Sequence, residues 1–497
     1  MSADNIKRHE AVMLVALIAL AACAGVALLI QCFHPQPIRL AGITVDRLSA
    51  LLALLVGTVG AVTFRFSLRY LDGEPAKARF LHLLFASSCA AYVLMLSTNL
   101  ILLFVAWFLT SLGLHWLLTF YPDRPQAIPP ARKKFIISRL GDLALIMAIV
   151  LVWQGWHTTD LNVFLSQVTP SDSTGHAIAV LVAIAALTKS AQFPFHSWLP
   201  ETMESPTPVS ALMHAGIINA GGALLIRFGP LVVSSPVALS VLTIVGTLTA
   251  TLGMVAMWPQ VKVKRTLAWS TVSQMGFMMV QCGLGVFPAA ALHIVGHGFY
   301  KACSFLRAGT LPAPMPRAMP ISPAKTLAFA GVGTLVAVPA LYLASLITGF
   351  NPVHAPGEFA LSAVIAMALG QVWVSIFRLR SSSQTSDALR WVGAIGLTVA
   401  GGILAFALYQ GAGIFLSPVL GPIVAPTGPL AWALAAVPVL AFAVLVVVHA
   451  LLPTITQTAG GRAFFVHALH GFYFGALADR FISLIWRNPT RKKIAHD

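Results

Sequence analysis

The sequence has very little charge. Only 9% of its 497 residues are Asp, Glu, Lys or Arg, whereas 58% are hydrophobic. Soluble domains carry roughly 25% charged residues, so this composition excludes an ordinary soluble protein. It also lacks the alternating ten-residue segments of a membrane β-barrel, and long apolar runs fill it instead. The sequence therefore predicts an all-α polytopic membrane protein.

Cysteine is scarce, and its spacing matches neither a metal site nor a disulfide framework. The five cysteines lie scattered in apolar runs, so we interpret all of them as small core hydrophobes; they are Cys23, Cys32, Cys89, Cys282 and Cys303. Signatures for flavin, iron–sulfur clusters or nucleotides are also missing. We therefore expect no cofactor and no redox chemistry of the chain's own.

Acidic residues are few as well. The chain has 31 Lys and Arg against 15 Asp and Glu, a formal net charge of +16. In a soluble protein this excess would suggest nucleic acid as a partner. Here the basic residues fall in alternate connecting loops, which indicates contact with anionic lipid headgroups and no nucleic acid. The alternation predicts both termini on the cytoplasmic side, although the loops 33–47 and 194–206 do not follow it.

Length and polarity predict about fourteen membrane spans. They are expected near 11–32, 48–68, 81–97, 99–120, 134–155, 176–193, 207–228, 235–257, 265–285, 287–308, 326–348, 359–379, 391–410 and 432–452.

A lysine follows one of the longest uninterrupted apolar runs. Residues 177–187 are wholly apolar, and Lys189 follows them after Thr188. An ammonium at membrane depth is costly unless it faces protein, water or a counter-charge; the alternative is a lysine that snorkels to the interface. Pro194 and Pro200 then interrupt the chain, and the next apolar run carries His214. The pattern predicts a buried lysine, a broken helix and a buried histidine.

Two further groups of polar residues lie inside apolar runs. His293, His297 and Lys301 recur every four residues, which places them on one helix face. A proton relay, structural hydrogen bonding and half of a zinc site all remain open for them. Arg139 and Asp142 are three residues apart. Either the two residues only pair with each other, or Asp142 acts as a counter-ion that tunes the proton affinity of a lysine.

The broken segment carries a long and specific motif. It reads KSAQ at 189–192, WLP at 198–200, ME at 203–204 and PTPVSALMHA at 206–215. This resembles the antiporter-like membrane subunits of respiratory complex I and their Mrp-type and inorganic-carbon-pump relatives. The resemblance extends from Val45 to Ala308 and fades beyond.

The resemblance implies the antiporter-like fold, with inverted repeats and broken helices. A second break is then expected within 325–350, where Gly331, Gly333, Pro339 and Gly349 interrupt an apolar run. It also implies a path for H⁺ or Na⁺ through Lys189, His214, His293, His297 and Lys301, with Asp142, Arg139 and Glu204 as candidate counter-ions.

Two departures from the family pattern narrow the resemblance. The family's Trp-Glu-Gly in the fourth span reads Trp107-Phe108-Leu109 here, and the lysine of the second broken helix is missing. These features look like the membrane subunit of DAB-type inorganic-carbon accumulation complexes in the bacterial inner membrane. That likeness implies a non-enzymatic, cation-conducting subunit that drives a large cytoplasmic partner with a zinc site similar to that of β-carbonic anhydrases. The alternatives are a proton-pumping complex I subunit, an Mrp-type Na⁺/H⁺ antiporter subunit and a non-conducting scaffold.

The resemblance also divides the chain. We expect an N-terminal transmembrane helix and loop at 1–44, an antiporter-like core at 45–310, a divergent second half at 311–453 and an amphipathic, basic C-terminal segment at 454–497. That last segment reads as an interfacial helix, a further span or a docking surface. Three cytoplasmic surfaces are expected to bind the partner: Arg132–Lys134, Glu201–Glu204 and Phe464–Phe481.

Overall fold

The computed structural model describes residues 3–310, 321–353, 355–378, 387–421 and 425–485, and helices dominate this part of the chain. The elements before the break are α1 (Ala3–Phe33), β1 (Ile38–Leu40), β2 (Ile43–Val45), α2 (Arg47–Tyr70), α3 (Lys77–Leu96), α4 (Leu100–Leu118), α5 (Ile128–Trp156), α6 (Leu161–Gln167) and α7 (Ser173–Lys189). The basic end of the predicted docking segment, with Arg487, Arg491, Lys492 and Lys493, lies outside the described residues.

The remaining elements continue through the broken segment to the C-terminal region. They are α8 (Trp198–Glu201), α9 (Thr207–Ala215), α10 (Ala220–Arg227), α11 (Gly229–Val233), α12 (Pro236–Met257), α13 (Val263–Gly283), α14 (Phe287–Leu306), α15 (Pro323–Thr348), α16 (Pro356–Arg378), α17 (Asp387–Leu420), α18 (Pro429–Ile455), α19 (Ala459–Leu469) and α20 (Phe474–Ile485), with short 3₁₀ turns at Thr202–Glu204, Ile217–Asn219 and Gly471–Tyr473.

Each of the fourteen predicted spans corresponds to a helical segment, but the count of fourteen membrane crossings is not confirmed. Eleven segments in the described chain are long and apolar enough to cross a bilayer. The three that fall short are α7, α13 and α14. Two of these carry Lys189 and the His293–Lys301 series, and α7 falls short because it is a short apolar helix that ends at Lys189.

Local sequence explains where several helices begin. Asp46 and Ser49 form a reciprocal capping box at the start of α2. Asn99, Asp160 and Asp172 each accept hydrogen bonds from the first backbone N–H groups of the following helix, at α4, α6 and α7. Such caps satisfy donors that no helical carbonyl can reach, which matters most where water is excluded.

The chain breaks where the sequence predicts it. After α7 ends at Lys189, it passes through the one-turn helix α8 and re-enters as α9. Gly216 then interrupts the helical run between α9 and α10. The expected second break within 325–350 is wrong, because α15 runs continuously from Pro323 to Thr348 with Pro339 inside it. A single proline removes one backbone hydrogen bond, which kinks a helix without necessarily ending it.

Close helix contacts build the centre of the bundle. A Cβ added to Gly276 of α13 would lie 2.4 Å from the backbone nitrogen of Ala250 in α12. Small residues allow such backbone approach, which is how membrane helices gain packing energy without a hydrophobic driving force. The largest continuous core draws mainly on the helices between α2 and α14, whereas α15–α17 form smaller clusters.

A small β-hairpin follows α1 and was not predicted. Its strands pair antiparallel, Ile38 with Val45 and Leu40 with Ile43. The two turn residues, Ala41 and Gly42, both have positive φ, which is the geometry of a tight hairpin turn.

The prediction that all five cysteines are core residues is wrong for three of them. Cys282 is buried and Cys89 is half-buried, whereas Cys23, Cys32 and Cys303 are exposed on their helices. An exposed thiol on a membrane helix faces lipid at little cost, because sulfur is only weakly polar. Apolar surroundings in the sequence therefore did not distinguish a core position from a lipid-facing one.

The C-terminal segment folds back onto the core. Phe474 at the start of α20 packs edge-to-face on Phe193, with ring centroids 4.8 Å apart. The ammonium of Lys133 lies 2.5 Å from Glu201, 3.0 Å from Asp479 and 3.1 Å from the carbonyl oxygen of Gly475, to which it donates a hydrogen bond. Burial raises the pKa of Glu201, and the Lys133 ammonium opposes that rise.

These contacts correct the expected docking surfaces. Lys133 and Lys134 are buried inside α5, so they do not form an exposed basic loop. Glu201 is bound to Lys133, and Glu204 pairs with the exposed Arg124 at 3.4 Å. The sequence placed Lys133 in a loop because it stands in a basic cluster, where the start of a long helix has no marker other than Pro129 and Pro130.

Candidate functional site

Lys189 is buried among polar groups of α4. Its ammonium donates to the carbonyl oxygen of Trp107 at 3.0 Å and to the hydroxyl of Thr110 at 2.8 Å. The same nitrogen lies 4.3 Å from the centroid of the Trp107 ring, within cation–π range. The side chain therefore does not snorkel. It occupies a cage of two hydrogen-bond acceptors and one aromatic face.

Asp142 and Lys189 both contact Trp107. The Trp107 indole N–H donates to Asp142 Oδ1 at 3.0 Å, while Asp142 Oδ2 forms an ion pair with Arg139 Nη2 at 2.8 Å. The guanidinium of Arg139 lies 4.4 Å from the centroid of the Phe108 ring. Where the resemblance leads us to expect a glutamate, the chain thus has an aromatic face that stacks on an arginine.

Sequence reasoning missed a second buried lysine beside the first. Lys134 of α5 donates to the carbonyl oxygen of Ser111 at 2.5 Å and to its hydroxyl at 2.8 Å. Thr110, which binds Lys189, is the preceding residue of α4. Two adjacent residues of one helix therefore hold two ammonium groups. The sequence does contain one indication of this burial: no helix-breaking residue separates Lys134 from the apolar run that follows it.

His214 lies at the end of α9, just before the break at Gly216. Its ring stacks on Phe305 with centroids 4.3 Å apart. Both ring nitrogens are buried, and neither has a hydrogen-bond partner in the described part of the chain. Buried polar groups are normally satisfied, so this position favours an ordered water. Nearby, the hydroxyl of Ser190, next to Lys189, donates to the carbonyl oxygen of Ile218 at 2.8 Å, joining α7 to the broken helix.

The His293–His297–Lys301 series lies on one face of α14, as its spacing predicts. The two imidazole centroids are 5.8 Å apart, and His293 Nδ1 is 2.9 Å from the amide oxygen of Gln281 on α13. Lys301 is fully buried and donates to the carbonyl oxygen of Leu267 at 3.1 Å. Nowhere in the described ranges do three His, Cys, Asp or Glu side chains gather as metal ligands.

One cavity borders this series, and a second cavity adjoins the first. One, of about 470 Å³, is lined by His293, His297, Gln281 and Tyr409, among others. The other, of about 390 Å³, is lined by Glu358 and by loop residues near 284–288 and 349–357. Tyr409 and Ala289 line both cavities. Tyr409 therefore lies on the boundary between the histidine cavity and the second cavity, which we call the vestibule and which contains Glu358 in its wall.

A buried ion pair joins two distant parts of the core. Arg227, at the end of α10, forms a two-pronged pair with Asp46, the N-cap of α2. Burial would raise the pKa of Asp46, but Arg227 and the hydrogen bonds from Ser49 outweigh it and leave that pKa below its usual value. The sequence does not indicate this pair, because its two members lie 181 positions apart.

Broken helices, buried lysines and a histidine series inside a helical membrane bundle define an antiporter-like membrane subunit. The model of the NADH:quinone oxidoreductase/Mrp antiporter transmembrane family matches residues 97–373, and a complex I chain 5 N-terminal model matches residues 40–81. The chain belongs to this NADH:quinone oxidoreductase/Mrp antiporter family.

Named relatives and solved structures agree with that assignment. The chain is 43% identical over 272 residues to a probable inorganic carbon transporter subunit DabB2 of Halothiobacillus neapolitanus, covering 54% of this chain and 49% of the relative. It is 37% identical to a DabB of Hydrogenovibrio crunogenus, covering 70% and 74%. A chain of the Mrp complex from Dietzia sp. has a TM-score of 0.60 at 24% identity, over 97% of this chain and 61% of that one, which shows the fold alone.

Proposed function

We propose that this subunit conducts H⁺ or Na⁺ down its gradient and thereby drives inorganic-carbon accumulation by a partner. The observation that carries the proposal is the caged Lys189 with Phe108 in place of the family's glutamate. Relatives whose names denote inorganic carbon transporter subunits match 54–70% of this chain at 37–43% identity. The alternative, a redox-driven pump subunit, shares the family but lacks a comparable observation in this chain.

The cation path begins at the lysine cage and crosses the broken helix. Lys134 and Lys189 are neighbours through Ser111 and Thr110. Two like charges so close disfavour simultaneous protonation, so a proton arriving at one lysine promotes release from the other. This coupling gives the cage a role even without the family glutamate. Asp142, linked through the Trp107 indole, stabilises the charged form of Lys189 without touching it.

From the broken helix the path passes His214 and continues along α14. The imidazoles of His297 and His293 follow at hydrogen-bonding distance through one water, since their centroids are 5.8 Å apart. Gln281 fixes the Nδ1 side of His293. The exit is the cavity in front of these rings, with Tyr409 as its outer wall and the Glu358 vestibule beyond. A carboxylate in the vestibule favours cations over anions.

The partner in this proposal is a large cytoplasmic, zinc-containing subunit similar to β-carbonic anhydrases. The residues of the cation path provide no site for carbon dioxide or bicarbonate. Coupling the cation gradient to carbon accumulation needs a second site and an element with two states that both sites influence. The face of α20 that points away from Lys133 offers a contact: Leu477, Phe481 and Leu484 are 57–76% exposed and follow one helix face.

Co-purification in mild detergent tests the proposal. A tagged chain is expected to bring down a stoichiometric soluble subunit with bound zinc, and cells with both subunits are expected to accumulate radiolabelled inorganic carbon. Phe481→Glu, on the contact face, should weaken this complex. Val353→Glu, at an exposed apolar residue in the loop after α15, is the matched control. Co-purification of quinone-reductase subunits instead would establish the redox-driven pump, and carbon uptake by this chain alone would refute the partner.

A further inference from the structure

A separate cavity of about 500 Å³ lies among α12, α13, α16 and α18. Most of its wall is apolar, with side chains such as Met254, Phe277, Met367, Phe442 and Leu445. None of the side chains of the cation path lines it. Its size falls in the range of small-molecule sites, roughly 300–1,000 Å³.

The charged and aromatic polar residues of this cavity lie near helix ends, whereas Ser273, Gln274 and Gln371 line its middle part. Arg378 is the last residue of α16, His449 lies in the final two turns of α18, and Trp258 directly follows α12. The imidazole of His449 and the indole of Trp258 are in contact, with ring centroids 5.2 Å apart. The connection that follows α12 carries Lys262 and Lys264, and α16 itself ends with Arg378. The cavity therefore runs from a cationic rim into an apolar interior.

We propose that this cavity binds an anionic phospholipid, with the phosphate at Arg378 and His449 and one acyl chain among the apolar side chains. A guanidinium recognises phosphate through paired hydrogen bonds, and tryptophan favours the headgroup level of a bilayer. A methylene occupies about as much space as a water, ~30 Å³, so the cavity accommodates a chain of about sixteen carbons. Bilayer lipid is the source at hand.

The residues of α16 that face the cavity support a single elongated ligand. Val364, Met367, Gln371, Ser375 and Arg378 follow one another at intervals of three or four, so they form one continuous stripe along the helix. The three polar side chains of this stripe all lie in its half nearer Arg378, with Val374 among them, whereas the half that contains Val364, Met367 and Ala368 is apolar. A lipid changes in the same way from a polar headgroup to an apolar chain along its length, whereas a compact soluble substrate does not.

The bound lipid would also touch the wall of the cation path. Gln274 and Phe277 line both this cavity and the cavity of His293 and His297. The Phe277 ring lies 5.8 Å from His293 and 5.7 Å from Phe442, centroid to centroid. An acyl chain against Phe277 and Phe442 therefore keeps water from entering the histidine cavity from the side. This consequence rests on the proposed function, whereas lipid binding itself does not.

Lipid analysis of the purified protein tests the proposal. After extensive detergent washing, native mass spectrometry of the wild type should show one retained phosphatidylglycerol or cardiolipin per chain. Arg378→Gln should lower that occupancy at least tenfold. The matched control is Arg307→Gln, an exposed cation at the end of α14 that does not line the cavity, and its occupancy should equal that of the wild type.

A second variant separates lipid loss from misfolding. Met367→Trp keeps Arg378 but fills the acyl region, and it too should lose the lipid while retaining the melting temperature of a delipidated wild type. Equal retention in Arg378→Gln and wild type, retention of only zwitterionic lipid or detergent, or retention in Met367→Trp would overturn the proposal. Carbon uptake is measured in parallel: lipid binding with failed uptake would refute the proposed function and leave the lipid site intact.

Discussion

Replacing Thr110 with valine tests the lysine cage most closely. The two side chains have nearly the same shape, but valine removes the hydroxyl that accepts a hydrogen bond from Lys189 at 2.8 Å. The buried ammonium then keeps one acceptor, the carbonyl oxygen of Trp107. Hydrogen bonds to charged groups contribute about 1.5–3 kcal/mol. At about 1.4 kcal/mol per tenfold change, the protonated fraction of Lys189 relative to the amine falls roughly 10- to 150-fold.

The assay compares inorganic-carbon uptake in cells that carry each variant at equal expression. Thr63→Val is the matched control, because Thr63 is equally buried and donates only to carbonyl oxygens of its own helix, Val59 and Gly60. Both variants lose a hydroxyl that donates a hydrogen bond to a carbonyl oxygen of its own helix. Only Thr110→Val also loses the hydrogen bond from Lys189. Uptake should fall by at least tenfold in Thr110→Val and less than twofold in Thr63→Val. Equal effects would refute a functional cage.

Four further substitutions follow from the same structure. Lys189→Ala should abolish carbon-dependent growth at normal expression, and full growth would remove this lysine from the mechanism. His297→Ala should reduce uptake more than Leu292→Ala, a neighbour in the same helix, because only the imidazole relays a proton; equal and mild losses would favour packing. Tyr409→Ala should change the cation flux at unchanged stability, since the ring separates two cavities, and an unaltered flux would exclude this exit. Arg227→Met should destabilise the fold by roughly 3–5 kcal/mol in detergent, because it strands the Asp46 carboxylate, and Arg227→Met with Asp46→Asn should recover most of that loss.

The sequence predicted the elements whose determinants are local. A wholly apolar run before Lys189 and prolines after it were enough to predict the buried lysine and the broken helix. Likewise, four-residue spacing was enough to place His293, His297 and Lys301 on one face. These are properties of a single helix, and helical periodicity carries them from the sequence directly into the structure.

The residues that sequence reasoning missed depend on contacts between distant segments. Lys134 was expected on a docking surface and the ion pair of Arg227 was not predicted, because their partners, Ser111 and Asp46, are remote in the sequence. Asp142 was expected beside Lys189, but the Trp107 ring lies between them, a detail that rotamers and helix rotation decide. In α15 a local pattern gave a wrong prediction. The glycines and the proline of this segment do not break the helix, because neighbouring helices support it.

The coupling of carbon uptake to the cation gradient is the central claim, and one measurement tests it directly. Uptake of radiolabelled inorganic carbon is followed in cells that carry this chain and its partner, with and without ionophores that collapse the H⁺ and Na⁺ gradients. The account predicts that uptake stops when the coupling gradient collapses, and that the residual uptake equals that of Lys189→Ala cells. Uptake that continues at its full rate without any gradient would contradict it.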